Sequence, residues 1–160
     1  MTPQEITVKM ALQSWDSQIS KATKVFENLN DEQLWEEIAP GRNRGVYLLG
    51  HLIVVNDGLF KIFGFGDRLH ADWDEAFLRN PDKKGLEFPT TAVLRKAWSD
   101  VHDQLSQQFN NLSAESWFQR HQSMTDEDFA KEPFRNKLSV LLNRTAHTAY
   151  HLGQVALIKK

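Results

Sequence analysis

Apolar residues recur at alternating steps of four and three from Val8 through Leu12, Trp15, Ile19, Ala22, Phe26 and Leu29, drawing one stripe along a helix of about two dozen residues. Thr2-Pro3-Gln4-Glu5 supplies its start: Thr with Glu three residues on is a capping box, and proline sits where its missing N–H costs nothing. Asn30-Asp31-Glu32 reads as the cap of a short turn through Leu34 and Trp35, and Pro40-Gly41 breaks the chain. From about Gly45 to Phe63 apolar residues fall on nearly every side. Leu48, Val55 and Ile62 mark one stripe and Leu49, Ile53 and Phe60 the opposite one, so this second long helix is expected to be covered on two faces. Gly64 and Gly66 end it, and residues 67–89 scatter Asp72, Asp74, Asn80, Pro81, Asp82, Gly85 and Pro89 without sustained period. Leu94, Trp98, Val101, Leu105, Phe109 and Leu112 mark a third helix behind Thr90 or Thr91. Ser113 to Trp117 suggests another short turn, and a polar stretch through Pro133 leads to a fourth helix, roughly Arg135 to Lys159. It carries Leu138, Leu142, Ala149, Leu152 and Ala156 on one side, with Thr145 interrupting.

No alternating, β-branched run competes with these segments, so the pattern predicts an all-α four-helix bundle with a long crossover between helices two and three. Returning along a twenty-residue helix means covering roughly 30 Å, which about ten extended residues manage; the crossover is long enough to join parallel helices. The first connection is shorter and suits antiparallel neighbours, although it too has enough residues to join parallel ones. At 160 residues the chain fits one domain, 1–160. Lys plus Arg is 19 against 21 for Asp plus Glu, giving a net charge of −2 and no broad cationic field for nucleic acid. The lack of cysteine removes thiolate ligands and nucleophiles, so any metal must be held by N or O. Met1 to Glu5 has no signal-peptide character, and the apolar run Gly45 to Asn56 is shorter than the ~20 residues of a spanning helix. A cytoplasmic protein without a membrane partner is the expectation.

The histidines then change the picture. His147 and His151, four apart, project from one helix face and could converge on one ion. His51 falls in register with Leu48, Val55, Gly58 and Ile62, a position that periodicity assigns to the interior. Taken singly, each histidine reads as a core residue hydrogen-bonded to a carbonyl or hydroxyl. His147 and His151 share a face with Val140, Gln154 and Ile158, so three imidazoles would be desolvated on two helices. One shared cation satisfies all three.

His147-Thr148-Ala149-Tyr150-His151-Leu152-Gly153-Gln154, with Gly50-His51-Leu52 in an earlier apolar helix, resembles the DinB-like family, also called the DinB/YfiT-like metalloenzymes. The resemblance extends over nearly the whole chain. It implies a four-helix bundle in up-down-down-up order, with His51, His147 and His151 as metal ligands. It also implies a homodimer, and activities among relatives that include S-transfer and isomerisation with low-molecular-weight thiols. Three neutral imidazoles leave a position open for water or a small-molecule substrate. An all-imidazole set selects poorly among divalent ions; zinc or nickel is the expectation.

Supporting residues are less determined. Thr148 stands where a zincin would carry its catalytic Glu, so a protease of that type is a poor reading. Gln154 could orient water or substrate, or make an ordinary helical hydrogen bond. Tyr47 and Tyr150 could reach the site with a phenol or pack as aromatics, and Arg144 could meet an anionic substrate or be solvated. His70, His102 and His121 read as surface residues; Trp15 and Trp98 read as core. Second apolar faces on helices two and four suggest burial against another subunit. The leading expectation is a metal-dependent transferase or hydrolase. The alternatives are a non-catalytic metal-binding stress or regulatory dimer and a structural dimer with core histidines. Because a ligating imidazole must be neutral, metal affinity is expected to fall below pH ~6.5.

Overall fold

A computed structural model describes residues 1–158. The first helix, α1 (Pro3–Glu27), begins with the predicted capping box: the Glu5 N–H donates to Thr2 Oγ1 at 3.2 Å and the Thr2 N–H to Glu5 Oε2 at 2.6 Å. After the single turn α2 (Asp31–Leu34) comes α3 (Gly45–Phe63), ended by Gly64 in the left-handed region at φ 79°. A 3-10 turn (Ala71–Trp73) and a π-helical turn (Glu75–Arg79) punctuate the crossover to α4 (Thr91–Asn110). Short helices α5 (Ala114–Trp117) and α6 (Asp126–Lys131) precede α7 (Lys137–Val155). Among the described residues there is no strand, and an isolated bridge joins Glu37 to Arg44. The chain is all-helical, with its four long helices where the periodicity put them.

Nearest neighbours are α1 with α7 and α3 with α4, with α7 also against α3. The first connection, long enough for either arrangement, leaves α1 packed chiefly against α7. Large side chains close the space between α1 and α4: Phe26 meets Trp98 edge-on at 5.5 Å, and Trp98 Nε1 donates to Thr23 Oγ1 at 2.8 Å. Trp15 and Trp98 are core, as their stripes required, and Trp117 is fully buried beside Phe63 and Phe109. All four long helices contribute to one hydrophobic cluster.

Helix α3 is longer than its opening apolar run, and its length and composition alone would let it cross a membrane. Here 15 of its 19 residues are buried within the chain. Its second apolar face is thus spent on the chain's own core. Large apolar side chains left exposed include Leu142, Tyr150 and Leu157 in and after α7.

The fourth helix departs from its predicted stripe. It ends at Val155, short of the expected Lys159, which lies outside the described residues. Its buried positions are Leu138, Leu141, Thr145, Thr148 and Val155, while Leu142 and Ala156 are exposed. Thr145 does not interrupt the face. Its hydroxyl donates to the Leu141 carbonyl at 2.8 Å, which satisfies the polar atom and lets the residue pack as a small β-branched one.

A candidate metal centre between two helices

Helix α3 carries Gly50 and His51 into its most crowded stretch, where the crossover comes back against it. A Cβ added at Gly50 would lie 2.3 Å from Phe77 Cε1, so only glycine lets the fully buried Phe77 ring this close. With the ring seated there, the Phe77 carbonyl lies 2.8 Å from His51 Nδ1. A carbonyl can only accept, so Nδ1 carries the proton and Nε2 presents its lone pair. Tyr47, one turn earlier, donates its hydroxyl to the Asn80 carbonyl at 2.8 Å and lays its ring nearly parallel to His51, centroids 6.1 Å apart. Its phenol is tied to the crossover and braces the site from behind.

Two ion-pair clusters hold the crossover against α3. Asp57, fully buried, accepts from Arg68 Nε at 3.0 Å and from the Leu69 and His70 N–H groups at 2.8 and 3.2 Å. The Arg68 fork also grips Asp74 at 2.7 and 2.6 Å. At the other end, Asp82 accepts from the Arg44 backbone N–H at 2.8 Å and from its guanidinium at 2.6 Å. The Arg44 guanidinium sits 4.9 Å above the Trp35 ring.

Helix α7 brings the other two imidazoles. His147 Nε2 lies 3.3 Å from His51 Nε2 and 3.1 Å from His151 Nε2, and all three nitrogens fall within 4.8 Å of one another. His151 Nδ1 donates to Gln154 Oε1 at 2.7 Å, which again leaves Nε2 bare. Gln154 Oε1 thereby orients an imidazole. His147 Nδ1 is buried without a partner, as is the Thr148 hydroxyl. Tyr150 is 63% exposed and touches His151 only with its ring, centroids 5.0 Å apart.

The electrostatics keep these rings neutral. Burial lowers the His51 pKa, assisted by His151 and Arg144 and opposed by the Phe77 carbonyl. His147 is pulled down to about 4, by burial first and then by His151, His51 and Arg144. Burial lowers His151 too, against the Gln154 bond. With Nδ1 protonated on His51 and His151, two lone pairs face each other and His147 Nε2 can donate to only one of them. That convergence suits a cation. Three nitrogens at ~2.0–2.1 Å from a tetrahedral Zn²⁺ stand about 3.3 Å apart, and the two close pairs here measure 3.3 and 3.1 Å. The donor set fits a divalent ion.

The profile of the DinB superfamily matches residues 14–155, most of the chain and every histidine of this cluster. The chain belongs to the DinB superfamily. A search of curated proteins finds no match. Superfamily membership and the three-histidine cluster are together compatible with metal binding.

The remaining histidines fall elsewhere. His102, read as surface, is buried: its Nδ1 donates to the Trp98 carbonyl at 2.6 Å and its Nε2 lies 3.0 Å from Asn56 Nδ2. It stands at the edge of the α4 stripe, and α3 covers that edge with a polar partner that the apolar pattern concealed. His70 stacks on Trp73 at 4.1 Å, and His121 is half-buried near α7. Sequence reasoning missed Phe77 and the Asp57–Arg68–Asp74 brace. A glycine inside a helix, where it costs about 1 kcal/mol relative to alanine, is the signal that marks a close approach at Gly50.

Proposed function

We propose that the chain is a divalent-metal-dependent enzyme acting on a small molecule, of thiol S-transferase or hydrolase type, with His51, His147 and His151 as ligands to zinc or nickel. The carrying observation is the convergence of three Nε2 atoms, two of them forced by their Nδ1 partners to present lone pairs. The ion would supply positive charge that stabilises an anionic nucleophile or polarises a substrate oxygen. The chain's own part is positional. Phe77 and Gln154 fix two rings, and desolvation keeps all three neutral at neutral pH. The surrounding fold is read as one four-helix-bundle domain in up-down-down-up order. The protein is further read as a cytoplasmic homodimer whose exposed Leu142, Tyr150 and Leu157 meet a second copy; a one-chain mass across a wide concentration range contradicts that reading.

Metal quantification on untagged wild type beside His51→Ala, His147→Ala and His151→Ala tests the ligand set. One ion per chain is expected in wild type after reconstitution and none in each variant; unchanged uptake overturns it. A panel of thiols and electrophiles tests catalysis, which should vanish with the metal and return on its readdition. A second reading, in which the ion only clamps α3 to α7, is favoured by the placement of the ligands on two helices. It predicts a large loss of melting temperature on chelation and no turnover with the panel.

A further inference from the structure

The seam between α3 and α7 does not stop at the histidines. On α3, Gly58 and Ile62 follow His51 at seven and eleven residues, close to whole numbers of helical turns, and so share its face. A Cβ at Gly58 would meet nothing within 4 Å, so that face is open there. On α7, Arg144 precedes His147 by about 4.5 Å along the axis. Beyond it a cavity of about 370 Å³ opens, lined by Ile62, His121, Arg135, Ser139, Asn143 and Arg144 among others.

The chemistry of that cavity is one-sided. Arg144 is half-buried, and no carboxylate among the described residues comes within ion-pair distance of it. Its Nε is buried with no partner, and its one modest contact is Nη1 to Asn143 Oδ1 at 3.4 Å. His121 Nδ1 is likewise buried and unpartnered. Arg135 reaches the lining while its Nη1 pairs with Glu132 at 2.6 Å. Burial and then Arg135, Lys137 and Arg120 hold the His121 pKa down; Arg120 and Arg135 are themselves paired with Asp126 and Glu132, which leaves Arg144 as the guanidinium of this lining without an acid. A half-buried guanidinium without an acid is costly unless a ligand supplies the counter-charge. Its planar donor fork suits a carboxylate or a phosphate.

We propose that Arg144, with His121, Arg135, Ser139 and Asn143, forms an oxyanion-binding subsite on the α3–α7 seam, and that the substrate carries a carboxylate or phosphate about one helical turn or more from its metal-facing atom. The substrate assignment rests on the reading of the centre as a small-molecule site; the anion site itself does not.

The test titrates metal-free protein with inorganic phosphate and, separately, with acetate at constant ionic strength, following backbone and arginine Nε–H resonances. Saturable binding of at least one anion is expected, with the Arg144 Nε–H resonance among those that move. Arg144→Gln should weaken it at least tenfold, while Arg79→Gln, an exposed arginine elsewhere, should leave it unchanged. Preference for phosphate or for acetate names the group the substrate carries. Absence of saturable binding in wild type, equal affinity in Arg144→Gln, or an immobile Arg144 resonance at saturation overturns the subsite. The wild-type resonance decides the matter even if Arg144→Gln does not fold. His147→Ala should lose the metal and keep the anion. Anion binding in a protein that takes up no metal leaves the subsite standing and removes the metal reading; metal uptake without anion binding does the reverse.

Discussion

The two sides of the centre are built differently. His51 stands on a helix buried almost all round, its Nδ1 bound to a backbone carbonyl, behind a crossover held by ion pairs at both ends. His147 and His151 stand on a helix with exposed Leu142 and Tyr150 on its flank; one ring is oriented by a side chain three residues away and the other has no Nδ1 partner. The α3 side is set by tertiary structure and the α7 side by local contacts. A backbone acceptor inside a packed crossover cannot swing, whereas a glutamine on a helix surface can. The contrast makes α3 the fixed reference of the site and α7 the adjustable part.

The largest effect should come from removing the brace on the fixed side. Asp57→Ala leaves Arg68 with one acid instead of two and strips two backbone N–H groups of their acceptor, so chemical denaturation should show a loss of about 3 kcal/mol. A comparable loss is expected from acid. Burial holds His102 at about 4 in the folded chain, against 6.5 ordinarily. The unfolded chain therefore binds the extra proton first as pH falls. The associated stability is complete above pH 6.5 and disappears as pH drops toward 4, on the order of 3 kcal/mol in all. His102→Gln should flatten that part of the stability profile; an unchanged slope contradicts the assignment.

Gly50→Ala tests the contact on which the fixed side depends. A methyl group facing the Phe77 ring should cost roughly 1–3 kcal/mol by overpacking and weaken metal affinity as the Phe77 carbonyl shifts. On the adjustable side, Gln154→Leu should lower metal affinity about 10–100-fold with little change in unfolding free energy, because only a ring orientation is lost. The smallest effect is expected at Tyr150, where Tyr150→Ala should change monomer stability by less than about 0.5 kcal/mol. A Gln154→Leu variant that unfolds more readily than Gly50→Ala would reverse the assignment of the two sides.

The same contrast explains what could be read from residue order. Stripes built on large side chains were legible: Trp15 and Phe26 on α1, and Trp98 and Phe109 on α4, belong to runs that step by four and three residues, and all four are buried. The three histidines were legible because imidazoles at interior positions need an explanation that solvent cannot supply. The α7 face was misread because Thr145 and Thr148 count as polar by composition, yet one satisfies its hydroxyl on its own helix and both are small enough to pack. Phe77 was invisible for another reason. Its segment has no period, and its role follows from a carbonyl whose direction depends on how Asp57, Arg68, Asp74, Arg44 and Asp82 fold the crossover back. Asn56 and Asp57 carry no apolar signal, yet both are fully buried with partners on other segments.

His51 and His147 are 96 residues apart along the chain. Contacts of such separation close late, after the entropy of the intervening loop has been overcome. A cation gripping both would therefore arrive at an assembled fold and take little part in its nucleation. Loading should slow the unfolding rate and leave the refolding rate nearly untouched, so that the ion acts on the lifetime of the native chain rather than on the speed of its formation.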